Sequence, residues 1–379
     1  MLDKWKIDQE ENLKEIANYC AININVLESM SEWVRVVDKK GHILFMNKSM
    51  TRDNNIKALE YRCSFDEDIM TKNSSIPMSI SLRTLITGET YTEDLNFLGR
   101  DYSVTASPII DEMGQVFASV EVFRDVSEEM RIRKELYQAN KRMKKDIRFA
   151  KTIQSQLLPK KKNINNLAID FYYRPSEDLS GDMFDVTRID DDRVGFYICD
   201  VVGHGVSASL LTMFIKQNIS ALISEGYGIY PSSLLNNLKS KFSELGLDPS
   251  VYATIFYGFY SRQNEEICFA NAGHNCTPII YKEGDISYLE ASGFPITDLF
   301  LNKDYEEEKI SLKKGDTLYL YTDGISEIKN YRGEEFGRAG LIRALGKPGR
   351  PIENILKDMR DFSWTRQEDD IALLQIRVG

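Results

Sequence analysis

Four separated aspartate motifs stand in the C-terminal half of the chain: Ser180-Gly181-Asp182, Asp200-Val201-Val202-Gly203-His204-Gly205, Thr322-Asp323-Gly324 and Glu368-Asp369-Asp370. Each sits at the end of an apolar, strand-like run, and three have a glycine beside them. Aspartate favours turns, so one carboxylate at a strand end is ordinary. Four of them suggest strand ends converging on a cation. The donors are hard oxygens, which suit Mg²⁺, Mn²⁺ or Ca²⁺, whereas Zn²⁺ or copper would call for closely spaced cysteine and histidine. The chain has three histidines (His42, His204, His274) and five cysteines (Cys20, Cys63, Cys199, Cys268, Cys276), with no CxxC pair. An odd number of scattered cysteines makes no disulfide framework and fits a reducing, cytoplasmic setting.

The elements that must position these motifs follow from apolar periodicity. Leu167 to Tyr173 and Asp182 to Ile189 alternate as strands, and Val194 to Cys199 reads as a compact buried one. Apolar helices are predicted over Val206 to Ile223 and around Pro231 to Leu245. Further strands are predicted at 252–260, 266–271, 277–281, 286–289, 317–321 and 371–378. Hairpins, then helices, then hairpins, without regular strand–helix alternation, indicate an α+β fold with antiparallel sheets.

The N-terminal part is organised differently. Residues 1–21 read as a helix. Trp33 to Val37 and His42 to Asn47, joined by a turn ending in Gly41, form a hairpin. A polar helical stretch follows to about residue 90, then strands at 91–97, 102–109 and 115–123. From Asp125 to Leu158 the pattern is one long helix. Apolar or small residues at Ile132, Leu136, Ala139, Met143, Ile147, Ala150, Ile153 and Leu157 make a nearly heptad seam with a slip between Met143 and Ile147. Its many lysines and arginines read as a solvated face, and Pro159 ends it. The domains read as 1–21, 22–125, 126–158 and 159–379.

At 379 residues, 42% hydrophobic and 28% charged, the chain has ordinary globular composition. No apolar run approaches the ~20 residues that span a bilayer, and the opening residues carry no signal-peptide pattern. The net charge of -10 argues against nucleic acid as the main partner.

The segment 22–125, closing on Phe123-Arg124-Asp125-Val126-Ser127-Glu128, resembles a PAS domain, which implies a five-stranded sheet around an unidentified small ligand. The C-terminal motifs resemble the PPM family of metal-dependent protein serine/threonine phosphatases, in its SpoIIE-type branch. The likeness spans about 148–379. It rests on Ala150-Lys151-Thr152-Ile153-Gln154 with Leu157-Leu158-Pro159, Ser180-Gly181-Asp182-Met183-Phe184-Asp185, the Asp200 to Gly205 run, Asn271-Ala272-Gly273-His274-Asn275, Thr322-Asp323-Gly324 and Asp369-Asp370-Ile371. It implies an α-β-β-α sandwich of two antiparallel sheets. It also implies two Mn²⁺ or Mg²⁺ ions held by Asp182, Asp200, the Val201 carbonyl, Asp323 and Asp369, and attack on the phosphoester by a hydroxide the cations share.

The resemblance further implies a phosphoserine or phosphothreonine protein as substrate, an anti-sigma-factor antagonist in partner switching, and a homodimer formed through the PAS domain and helix. His204 reads as a general acid or as a turn residue, Asp185 and Asp370 as supporting carboxylates, His274 as a loop-shaping residue, and Arg174 as a phosphate contact or an exposed strand end. Ser180 stands where the branch has glycine, and Ala372 where it has threonine. Two other readings compete. A diguanylate cyclase needs a second acid after Asp182, where this chain has Met183; a non-catalytic sensor leaves the aspartates without a purpose.

Overall fold

The computed structural model describes residues 24–41, 43–52, 79–97, 99–111, 113–160, 163–282, 284–364 and 369–379. The helix predicted over 1–21, His42, Cys20 and Cys63 lie outside them, as does much of the predicted helical stretch before residue 79. The chain divides into two compact units, one ending at Lys141 and the other running from Arg142 to Gly379.

The first unit is built on strands β1 (Trp33–Asp38), β2 (Ile43–Met46), β3 (Tyr91–Phe97), β4 (Arg100–Ile110) and β5 (Val116–Asp125), with helices α1 (Lys48–Arg52) and α2 (Ser79–Thr87). The strands form one antiparallel sheet in the order β2-β1-β5-β4-β3. Alternation in β4 buries Tyr102, Val104 and Ala106 on one face. A long helix, α3 (Ser127–Leu157), follows and covers the expected span. Its seam residues Ile132, Leu136, Met143 and Ile153 are exposed.

The second unit contains β6 (Asn163–Ile164), β7 (Leu167–Arg174), β8 (Asp182–Arg188), β9 (Arg193–Val201), α4 (Gly205–Ser224), α5 (Pro231–Ser243), β10 (Ala253–Ser261), β11 (Glu266–Ala272), β12 (Ile279–Lys282), β13 (Asp285–Tyr288), β14 (Glu308–Ser311), β15 (Thr317–Tyr321), α6 (Asp323–Ser326), α7 (Gly337–Leu345), α8 (Pro351–Phe362) and β16 (Ile371–Val378). Two antiparallel sheets result, one in the order β14-β11-β10-β9-β8 and the other β13-β12-β15-β16-β7-β6. Phe184, Phe196, Phe256, Leu320 and Leu374 fill the space between them. Ile215 and Ile219 of α4 and Leu234 and Leu238 of α5 cover the first sheet. Leu341 of α7 and Ile355 of α8 cover the second. Each fully buried Leu, Ile or Phe contributes about 1.5–3 kcal/mol. The α-β-β-α sandwich implied by the sequence is the observed layering.

Two expectations are corrected. The sequence pattern does not mark β14 as a strand, because the pairing of β14 with β11 joins residues some forty positions apart and leaves no local signature. One helix among the described residues, α4, is long and apolar enough by length and composition to cross a membrane, at a mean hydropathy of 1.3. Here it is a layer of the sandwich, with Ala208, Thr212, Ile215, Ile219 and Leu222 buried against the sheet. Cys199, Cys268 and Cys276 are buried and unpaired by disulfides, as expected.

Candidate metal centre

The antiparallel arrangement brings the aspartates to one edge. Neighbouring strands run in opposite directions, so the start of one lies beside the end of the next. Asp182 opens β8 and Asp200 is the penultimate residue of β9. Asp323 follows the end of β15, and Asp369 and Asp370 immediately precede β16. Two motifs therefore stand at strand beginnings and two at strand ends. Asp182 and Asp200 are direct cross-strand partners.

Asp182 is held from three sides. Thr322 Oγ1 donates to its Oδ2 at 2.6 Å, and Thr322 Oγ1 accepts from the Ala372 N–H at 3.0 Å. Its backbone N–H donates to Ser180 Oγ at 3.0 Å, and the Tyr173 hydroxyl donates to its carbonyl at 3.1 Å. The Val201 N–H donates to the Gly181 carbonyl at 3.1 Å. The Val201 carbonyl oxygen lies against Gly181, 2.9 Å from where a Cβ would stand. A Cβ on Gly324 would be 1.9 Å from the Asp370 carbonyl oxygen. Both glycines are there because backbone strands approach too closely for a side chain.

The charges in this group are unbalanced. Burial, followed by the neighbouring Asp200, pushes the Asp182 carboxyl well above the usual range, against the Thr322 hydrogen bond. Burial first, then Asp323, Asp369 and Asp370, pushes Asp200 up to about 7. Asp369 is raised by burial first, partly offset by the Asp370 N–H. No lysine or arginine pairs with Asp182, Asp200 or Asp323 among the described residues. In this arrangement no group of three or more acidic, histidine or cysteine side chains among the described residues is gathered as a metal ion would need. A set of oxygen donors that repel one another, with Asp182 buried, Asp200 and Asp323 half-buried and Asp369 exposed, beside a backbone carbonyl, is the chemistry that a hard divalent cation satisfies.

The neighbouring carboxylates are engaged elsewhere. Asp370 accepts from Ser176 N and Oγ at 2.7 and 2.9 Å, from Ser180 Oγ at 2.7 Å and from Gly181 N at 2.8 Å. It fixes the turn that carries Asp182. Asp185 is paired with Lys216. His204 is 75% exposed at the N-cap of α4, with Nδ1 3.1 Å from Glu177 Oε1. His274 is buried and its Nε2 lies 3.1 Å from the Tyr321 carbonyl, which makes Nε2 the protonated nitrogen. Burial holds its pKa down at about 4, so it is a neutral brace under the end of β15. Arg174 ends β7, exposed.

Three functional contacts have little or no signal in the sequence. The hydroxyl of Thr322 orients Asp182, and Ser180, conspicuous only as a departure from glycine, bridges Asp182 and Asp370. Gln154, from the last turn of α3, is buried; its Nε2 donates to the Ser180 carbonyl at 2.8 Å and its Oε1 accepts from the Ser180 N–H at 3.2 Å. A glutamine inside a basic helix gives no signal of its own beyond its place in the Ala150 to Gln154 run. A cleft of about 1190 Å³ opens beside the aspartates, lined among others by Arg174, Glu177, His204, Gly324, Glu327 and Asp369.

Comparison with known proteins places this arrangement. The family described as Stage II sporulation protein E (SpoIIE) matches residues 190–379. The phosphoserine phosphatase RsbU of Bacillus subtilis (strain 168) is 30% identical over 248 residues, covering 62% of this chain and 70% of that protein. The phosphoserine phosphatase RsbP of the same organism is 29% identical over 189 residues, covering 48% of this chain and 46% of that protein. The SiaA-PP2C domain of Pseudomonas aeruginosa superposes with a TM-score of 0.56 at 21% identity, over 64% of this chain and 99% of that one. The PP2C phosphatase domain of SpoIIE from Bacillus subtilis, with a fragment of its regulatory domain, gives 0.50 at 15%, over 80% and 76%. At these identities the two structures speak for the fold.

Proposed function

This chain belongs to the SpoIIE family of protein serine/threonine phosphatases, and from that premise we propose that its aspartate cluster hydrolyses phosphoserine or phosphothreonine on a protein substrate. The observation that carries the reading is the Asp182–Asp200 pair beside Asp323 and Asp369. In that pair Asp182 is buried and Asp200 half-buried, directly opposed across neighbouring strands with no basic partner among the described residues. Asp182, Asp200, the Val201 carbonyl, Asp323 and Asp369 would hold two Mn²⁺ or Mg²⁺ ions. Bound there, the ions would supply an activated water and neutralise charge on the phosphoryl oxygens.

The protein's own groups do the positioning. Thr322, tied to β16, orients Asp182, and Asp370 and Ser180 hold the turn in front of β8. His204, beside Glu177 at the edge of the cleft, would give a proton to the leaving serine oxygen, with a turn role at the α4 N-cap as the alternative. The cleft admits a peptide rather than a small ester alone.

The remaining readings are part of the same proposal. The sheet order β2-β1-β5-β4-β3 supports a PAS-like sensor over 22–125 with an unidentified ligand. The exposed seam of α3 supports a homodimer through residues 126–158, and the Gln154 clamp supports passage of a signal from that helix to the Ser180–Asp182 turn. RsbU and RsbP, named as phosphoserine phosphatases, favour a phosphoserine substrate; the anti-sigma-factor antagonist and the cytoplasmic setting rest on the family resemblance and the scattered cysteines. Incubating the full chain with Mn²⁺ and a phosphoserine protein tests the core reading: phosphate release that stops on chelation is expected, and no release would refute it. Leu136→Glu with Met143→Glu tests the relay; unchanged activity and oligomeric state would refute that part.

A further inference from the structure

The cleft beside the aspartates is larger than a phosphate group requires, and part of its wall has a chemistry of its own. Helix α8 contributes Leu356, Met359 and Arg360, spaced as one helical face, and its C-cap Ser363 follows. The segment after α6 adds Ile328 and Lys329. The acids that line the cleft, Glu177, Glu327 and Asp369, belong to the loops around the metal centre. Glu177 is already engaged with His204. Arg360 Nε donates to the Leu356 carbonyl of its own helix at 3.2 Å, and among the described residues neither Arg360 nor Lys329 is held in an ion pair.

An aromatic pair adjoins this wall. The rings of Tyr331 and Trp364 meet edge to face with centroids 6.2 Å apart, and they are 66% and 76% exposed. The Trp364 N–H donates to the Lys329 carbonyl at 3.4 Å, which ties the pair to the cleft. The Arg332 guanidinium lies 5.1 Å from the centre of the Tyr331 ring. Exposing two large aromatic side chains without covering them is costly in water, and Trp, Tyr and Arg together are the residues that carry binding energy between proteins.

We propose that the α8 wall of the cleft and the Tyr331–Trp364 pair form the docking surface for the phosphorylated protein, selecting an apolar residue followed by acidic residues beside the phosphoserine. The inference rests on the phosphatase reading and adds its specificity. The apolar residue packs against the half-buried Ile328 and Leu356. The acidic residues meet Lys329 and Arg360, whose charge complements theirs and repels a basic flank. Tyr331 and Trp364 take the body of the partner outside the cleft.

The test compares kcat/KM of the full chain with Mn²⁺ on three substrates: p-nitrophenyl phosphate, phosphoserine peptides flanked on either side by leucine and two glutamates, and the same peptides with lysines in place of the glutamates. For the double variant Lys329→Glu/Arg360→Glu, the acidic peptides are expected to lose about tenfold while the lysine peptides gain. The p-nitrophenyl phosphate rate stays unchanged and reports an intact fold and centre. Trp364→Ala is expected to lower turnover of a whole phosphoserine protein but not of p-nitrophenyl phosphate. An unaltered ratio of acidic to lysine peptide, with the small ester still hydrolysed, would overturn the docking surface alone. No turnover of any substrate by the unmodified chain would overturn the phosphatase reading and the docking surface with it.

Discussion

Arg35 and Glu121 in the N-terminal unit, and Asp182 and Asp200 in the C-terminal one, occupy the same kind of place: directly opposed residues on neighbouring antiparallel strands. Arg35 and Glu121 are fully buried and joined by a salt bridge, with the Ser81 hydroxyl donating to the second carboxylate oxygen. Asp182 and Asp200 face each other with like charge, a pairing that destabilises a sheet. The first pair is charge-balanced within the protein and holds a fold together. The second has no basic partner among the described residues, and on the proposed reading a cation from outside supplies one.

The contrast can be broken most severely at Asp182. Asp182→Asn keeps the shape and the Thr322 contact but removes a charge; phosphatase activity is expected to fall about a thousandfold, measured as kcat/KM on a phosphoserine protein. Glu121→Gln acts on stability instead, because it leaves Arg35 buried without its counter-charge. A loss of about 3–5 kcal/mol is expected for the N-terminal unit, read from urea unfolding.

Asp200→Asn should have the opposite sign and stabilise the metal-free protein. The Asp200 carboxyl titrates at about 7 when folded, against 3.8 ordinarily, so between about pH 4 and 7 the folded state holds a proton that the unfolded chain releases. The Asp200 contribution to metal-free stability therefore falls as pH rises through that window, by on the order of a few kcal/mol. Unfolding in chelator at pH 5 and pH 8 should show this slope in the unmodified chain and a flatter one in the variant. The smallest effect is expected at Gln154→Ala, which removes two hydrogen bonds to Ser180 and should cost about 1–2 kcal/mol, with a partial loss of activity.

Much of the fold and of the site is legible in the sequence. Apolar patterning marks strands 91–97, 317–321 and 371–378 with their observed bounds, since alternating or uniformly apolar runs report burial locally. Asp182, Asp200, Asp323 and Asp369 stand out because carboxylate motifs at strand ends, three of them with a glycine, are conspicuous. Contacts made across the chain are hidden. Thr322 reaches Asp182 over 140 positions and Ser176 reaches Asp370 over 194; neither leaves a mark in local sequence. The opposed charges of Arg35 and Glu121 are equally silent, because strand register decides which residues face each other. His204 is conspicuous between two glycines, yet the fold leaves it exposed at a helix N-cap and beside Glu177.

The central claim is that the like-charged pair is a cation site. Titration calorimetry of Mn²⁺ into the chelator-stripped full chain, beside the Asp182→Asn/Asp200→Asn double variant, addresses it without relying on any substrate. The account predicts saturable binding near pH 7 that releases protons in the unmodified chain and is lost in the variant. Equal binding by both proteins, or none by either, would contradict it.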